Sequence, residues 1–151
     1  MEPFHRFVHI NSADVYAYAL LAEDYNPIHM DAAAARAAGF DARICHGGLF
    51  TAIISGMIAR AYPGAVWMEH TIQFKRPALV GTTLEFILSL DETLKKPTKT
   101  LGIITAEIKN PAGQVIATSR NVVLLPAGVE LESKPAAAQP AEAEAELVGA
   151  H

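Results

Sequence analysis

The stretch GGLFTAIISGMIARA, Gly47 to Ala61, closed by Tyr62-Pro63-Gly64, decides how the rest of the chain must be arranged. Leu49, Phe50, Ile53, Ile54, Met57 and Ile58 recur at helical spacing and reach nearly every side of the cylinder, the pattern of a helix surrounded by protein. Thr51, Ser55 and Arg60 interrupt it, and it falls short of the roughly 20 apolar residues needed to cross a bilayer. It reads as a buried core helix, and no membrane partner is expected. Proline and glycine stop it, and the period then changes to that of strands, over 65–75, 82–92, 99–109 and 114–125, with Asn110-Pro111-Ala112-Gly113 as a turn. Consecutive strands need a covering layer and the helix needs a cover. The expected class is therefore α+β, with one curved antiparallel sheet wrapped around one long central helix.

Upstream of this core, Phe4 to Ile10 reads as a short strand, and Ser12 offers an N-cap, with Asp14 in the first turn of a helix running to about Glu23. The chain must turn at Asn26-Pro27, because proline disfavours helix for the residue before it. Asp31 can cap a short alanine-rich helix that stops at Gly39, and a loop then carries Ile44 and Cys45 to His46. Beyond Pro126 the composition turns to Ala, Glu and Pro. Residues 1–126 are thus expected to form the domain and 127–151 a flexible tail, with at most a marginal helix over Ala141 to Val148.

Bulk properties narrow the classes. A chain of 151 residues, 51% hydrophobic, suits one compact domain. The net charge of −4 and the scattering of basic residues, apart from pairs such as Lys75-Arg76 and Lys95-Lys96, give no basic stripe for nucleic acid. The single cysteine, Cys45, excludes an intramolecular disulfide, and the N-terminus lacks a signal-peptide pattern. The expected compartment is the reducing cytoplasm.

The chemistry concentrates in AEDYNPIHMD, Ala22 to Asp31, and in His46-Gly47-Gly48. Asp24, Asn26 and His29 flank a backbone-restricting proline, and the glycine pair opens the core helix. A carboxylate and an imidazole make an acid/base pair; glycine amides at a helix start make an oxyanion site. Adding water to, or removing it from, a double bond conjugated to a carbonyl needs those parts and no metal or redox cofactor. Each residue also has a plainer reading. Asp24 can be a solvated residue near a helix end, although the dipole there disfavours it. Asn26 can simply make the turn, His29 can be a hydrogen-bonded core histidine, and His46-Gly47 can be an ordinary loop-to-helix junction. Ser55, two turns beyond Gly47, shares its face and either points at the same site or bonds back to its own helix. No GxSxG elbow, HExxH ligand pair, GxGxxG or GxxxxGK[ST] occurs, which argues against a serine hydrolase, a metal centre and a nucleotide cofactor.

The runs Ala22 to His29, Ile44 to Gly47, Ser55-Gly56, Phe74 to Pro77 and Val80-Gly81 resemble the MaoC-like family of (R)-specific enoyl-CoA hydratases, within it the short hydratases that feed polyhydroxyalkanoate synthesis. The resemblance spans about residues 8–125. It implies the hot-dog fold, a homodimer with acyl-CoA tunnels near the subunit interface, and no cofactor beyond the coenzyme A of the substrate. Carried over, Asp24 and His29 correspond to the catalytic pair, Gly47 to the donor to the thioester carbonyl, and Ser55 to a pocket serine. Asn26, His46 and Gly48 join the substrate-binding set. The implied reaction is reversible syn hydration of a trans-2-enoyl-CoA to an (R)-3-hydroxyacyl-CoA. Alternatives are a hydratase for a branched or dicarboxylic acyl-CoA, a thioesterase, or a non-catalytic acyl-CoA-binding module. Gly48 stands where the family leads one to expect a larger residue, and the tail has no counterpart in short members.

Overall fold

The structure is a computed structural model and describes residues 2–129. In chain order the elements are β1 (Phe4–Ile10), α1 (Ser12–Ala22), α2 (Pro27–Met30), α3 (Ala32–Ala37), α4 (Gly47–Ala61), β2 (Val66–Phe74), β3 (Thr82–Lys96), β4 (Lys99–Lys109) and β5 (Val115–Leu125). The strands form one antiparallel sheet in the order β1-β3-β4-β5-β2. Strand alternation sorts the faces: Leu84, Phe86 and Leu88 on β3, Ile104, Ala106 and Ile108 on β4, and Val123 and Leu125 on β5 are buried. Against them lie Phe50, Ile54, Met57 and Ile58 of α4.

The helix is covered on one side rather than all round. At 3.6 residues per turn its large apolar residues, Leu49 through Ile58, span about half the circumference, and the remainder carries small or polar residues. Of these, Ala52, Gly56, Ala59 and Arg60 are exposed in the single subunit. The side of α4 that does face protein is also tied by hydrogen bonds. Asn121, fully buried, donates through Nδ2 to the Ile104 carbonyl at 2.9 Å and to Ser119 Oγ at 3.1 Å. Its Oδ1 is thereby left to accept from His70 Nδ1 at 2.8 Å, and His70 Nε2 accepts from the Thr51 hydroxyl at 3.1 Å. This chain ties α4 to β2, β5 and β4 through satisfied polar groups.

Local details differ from the sequence expectations where a side chain had more than one choice. Asn11, not Ser12, caps α1: its Oδ1 accepts from the amides of Ala13 and Asp14 while Asp14 answers the Asn11 amide, a complete capping box. Strand β3 continues past Glu92 to Lys96, through an irregularity between Leu90 and Glu92. The expected tail from residue 127 begins with a turn in which the Val129 amide meets the Pro126 carbonyl at 3.4 Å and Val129 packs on the core. Residues 130–151, with the expected helix at 141–148, lie outside the described residues.

The link from β2 to β3 positions the site. It crosses from one sheet edge toward the other, and on the way Ala78 accepts from the Cys45 amide at 2.7 Å, Val80 donates to the Arg43 carbonyl at 2.9 Å, and Leu79 bridges Ile44. Gly81, with φ +89, lets the link turn into β3. The segment leading into α4 is thus fastened to the sheet just before His46.

Candidate active site

The site begins where α1 ends. Glu23 adopts the left-handed conformation, φ 54, and closes the helix, so Asp24 leaves the helix axis. Its Oδ1 accepts from the Asn26 amide at 3.2 Å, and Asn26 Oδ1 in turn accepts from the Ile28 amide at 3.4 Å. Asn26 therefore caps α2, with Pro27 in the first helical position where its missing N–H costs nothing. This short helix, where the sequence alone predicts only a turn, leaves His29 buried.

His29 is 8% exposed, and its Nδ1 lies 2.7 Å from the Ile44 carbonyl. A carbonyl only accepts, so the proton sits on Nδ1 and Nε2 presents a lone pair. His46 is 1% exposed, and its Nε2 donates to the Asp24 main-chain carbonyl at 3.0 Å while lying 4.0 Å from the Asp24 carboxylate. The two imidazoles pack together, centroids 3.9 Å apart and planes 33° apart, and the Tyr18 ring lies against His46 with centroids 4.8 Å and planes 45° apart. One donor atom each from Asp24, His29 and His46 fall within 4.8 Å of one another. That span would admit a metal ion. It also suits a single water bridging the carboxylate and an imidazole that make no direct hydrogen bond.

At the start of α4, the Leu49 amide returns to the His46 carbonyl at 3.2 Å, whereas the amides of Gly47 and Gly48 have no acceptor among the described residues. These are the unpaired donors at the positive end of the helix dipole. Gly47 and His29 line the same cavity of about 380 Å³, walled by Phe40, Phe50, Phe74 and Ala78 and flanked by Lys75 and Arg76. Cys45 also lines it, but burial, and secondarily the charge of Asp14, push its thiol up to about 11, which keeps it protonated and unreactive as a nucleophile.

Asp24 and His29 thus come within 4.8 Å of one another, and His29 and Gly47 line one cavity. His46 is drawn in as well, but its side chain is buried behind His29 and does not line the cavity. Asn26 shapes the turn. Ser55 is half-buried, does not line this cavity, and has no hydrogen bond from its side chain among the described residues. Gly48 faces Tyr18: a β-carbon there would overlap the phenol oxygen and lie 2.7 Å from Cζ, so Tyr18 fills the room that a larger residue at 48 would take. Tyr18, Phe40 and Phe74 had no part in the sequence reading of the site. The one signal for Tyr18 was the smallness of its distant partner.

Residues 3–111 match the family model described as MaoC like domain. The (R)-specific enoyl-CoA hydratase of Aeromonas caviae is 32% identical over 117 residues, covering 76% of this chain and 86% of that protein. Among solved structures, the (R)-hydratase from A. caviae involved in PHA biosynthesis superposes with a TM-score of 0.76 at 28% identity, over 83% of this chain and 95% of that one. R-hydratase PhaJ1 from Pseudomonas aeruginosa, in its unliganded form, gives 0.76 at 29% identity over 92% and 91%. With the antiparallel sheet packed on α4, the aspartate and histidine set by an Asn-Pro turn, and these likenesses in sequence and structure, the chain has the hot-dog fold and belongs to the MaoC-like family.

Proposed function

We propose that the protein is an (R)-specific enoyl-CoA hydratase, a hydro-lyase that adds water reversibly and syn to a trans-2-enoyl-CoA. The observation that carries this is the placement of His29: one of its ring nitrogens lies within 4.8 Å of an Asp24 carboxylate oxygen, a span that one water bridges, and His29 lines the cavity that also holds the free Gly47 amide. Asp24 and His29 hold a water between them. Its oxygen adds to C3 of the enoyl group while a proton is delivered to C2 from the same side. Charge develops on the thioester oxygen, where the Gly47 amide and the start of α4 meet it without reorganisation. A cavity of about 380 Å³ lies within the usual range of small-molecule sites, roughly 300–1,000 Å³, and its aromatic wall suits an acyl chain. Lys75 and Arg76 at the cavity supply cations for the phosphates of coenzyme A, which belongs to the substrate.

In this reading the protein works as a cytoplasmic homodimer. Strand β2 supports the dimer, since it is a sheet edge whose Val66 and Met68 are exposed in the single subunit. Among the described residues no helix is long and apolar enough to cross a membrane. The test is to incubate the pure protein with crotonyl-CoA, follow loss of the conjugated thioester absorbance, and resolve the product chirally. Hydration to (R)-3-hydroxybutyryl-CoA is expected. Release of free thiol without hydration, or an (S) product, would refute the reading.

A further inference from the structure

We infer that Tyr18 is a positioning residue for the acid/base pair: seated on the bare α-carbon of Gly48, its ring clamps His46 against His29 and thereby holds Asp24 and His29 at their working distance. The inference rests on the hydratase reading for its kinetic consequence, but its geometry stands apart from it.

His46 touches both members of the pair in different ways. Through Nε2 it holds the main chain of Asp24, at 3.0 Å, and through its ring face it holds the imidazole of His29, at 3.9 Å between centroids. A tilt of His46 therefore moves both. What fixes that tilt is not polar, because Nδ1 of His46 is buried with no hydrogen-bond partner among the described residues. One hydrogen bond leaves the ring free to turn about it, so the ring plane is set by the two rings packed against it, His29 and Tyr18. Tyr18 is itself held by shape, since its hydroxyl makes no hydrogen bond among the described residues. Its phenol lies directly on the first turn of α4, where a β-carbon at 48 would overlap the oxygen and stand 2.7 and 3.3 Å from Cζ and Cε2. Gly56, in the same helix, has nothing within 4 Å of a β-carbon. Where a β-carbon at 47 would meet Phe74 of β2, the one at 48 meets a residue of α1.

The test combines kinetics with spectroscopy. Gly48→Ala, Tyr18→Ala, their double variant and Tyr18→Phe are compared for kcat and KM on crotonyl-CoA, with melting curves to establish folding. The imidazole ¹⁵N and ¹H resonances of His29 are recorded in parallel. Gly48→Ala drives Tyr18 off the helix and shifts His46, so kcat falls by about 10²-fold, the usual consequence of misplacing reacting groups by about 1 Å, while KM changes little. Tyr18→Ala also lowers kcat, and Tyr18→Phe recovers most of that loss because the ring does the clamping. The double variant is no slower than Tyr18→Ala alone, since the new methyl group then has room. His29 resonances shift in both alanine variants. Multiplying losses in the double variant, or unchanged His29 resonances in folded Tyr18→Ala, would overturn the clamp. So would Tyr18→Phe as slow as Tyr18→Ala, because the hydroxyl would then be the acting group. If the wild type hydrates no enoyl-CoA the hydratase reading fails, and the resonances still decide whether Tyr18 sets the histidine stack.

Discussion

Replacing Gly47 by alanine separates catalysis from stability. A β-carbon at 47 would lie 2.5 Å from Phe74 Cζ, 2.9 Å from Cε1 and 3.2 Å from Cε2. Ordinary carbon–carbon contact begins at about 3.5 Å, so the ring must retreat by about 1 Å. Phe74 is 55% exposed at the end of an edge strand, and its ring can swing outward at little expense. The backbone is not in the left-handed region at 47, and alanine is the better helix former by up to about 1 kcal/mol, which offsets the displaced contact. Melting temperature should stay close to that of the wild type. The methyl group, however, stands over the free amide and holds a thioester oxygen away from it. Losing one oxyanion donor costs about 10²–10³-fold in turnover, and Gly47→Val, with two further carbons, should reach the upper end. Initial rates on crotonyl-CoA, monitored by the enoyl absorbance and paired with thermal melts, check this. Unimpaired turnover in a folded Gly47→Val variant would show that the amide does not meet the thioester, and the substrate placement would fall with it.

Asp24→Asn and His29→Ala should each reduce kcat by about 10²–10⁴-fold with the fold retained, as read by circular dichroism; near-normal hydration in both would refute the proposed pair. Because the Cys45 thiol is pushed from 9.0 up to about 11, the folded protein prefers it protonated. Its stabilising contribution is full below pH 9 and lost as pH rises through about 11, so denaturant midpoints should fall across that window less in Cys45→Ala than in the wild type. Iodoacetamide should alkylate native protein at pH 8 far more slowly than unfolded protein. Removing residues 130–151, in which Leu131, Leu147 and Val148 stand alone among Ala, Glu and Pro as large apolar side chains, should leave melting temperature and hydration rate nearly unchanged; a large loss of either would show that the segment completes the folded unit.

The local grammar of the chain was legible without coordinates because its causes lie within a few residues. The helix from Gly47 to Ala61 starts and stops where its glycine pair and Pro63-Gly64 indicate, and β1 and β4 fall where their alternation places them. Asp31 caps α3 by accepting from the Ala34 amide at 2.7 Å, an interaction that spans one turn and needs no tertiary help. The Asp-x-Asn-Pro-x-His spacing likewise announced the turn at this point, since an asparagine cap followed by proline nearly determines the path from Asp24 to His29. Where adjacent residues compete for one role, as Asn11 and Ser12 do for the α1 cap, sequence alone did not rank them.

What only the tertiary structure decided are contacts between residues far apart in the chain. The order β1-β3-β4-β5-β2 depends on which edges meet once the β2–β3 link has crossed the sheet, and no local periodicity encodes that. The apolar pattern of α4 showed that it needed cover but not that the sheet supplies it on one side only. His46 looked like a junction residue until folding buried it against Tyr18 and His29. Gly48 looked like a missing side chain; it is the space into which Tyr18, 30 positions earlier in the chain, inserts its ring. Excluded volume is a property of pairs, and a sequence names the small partner without naming what fills the space.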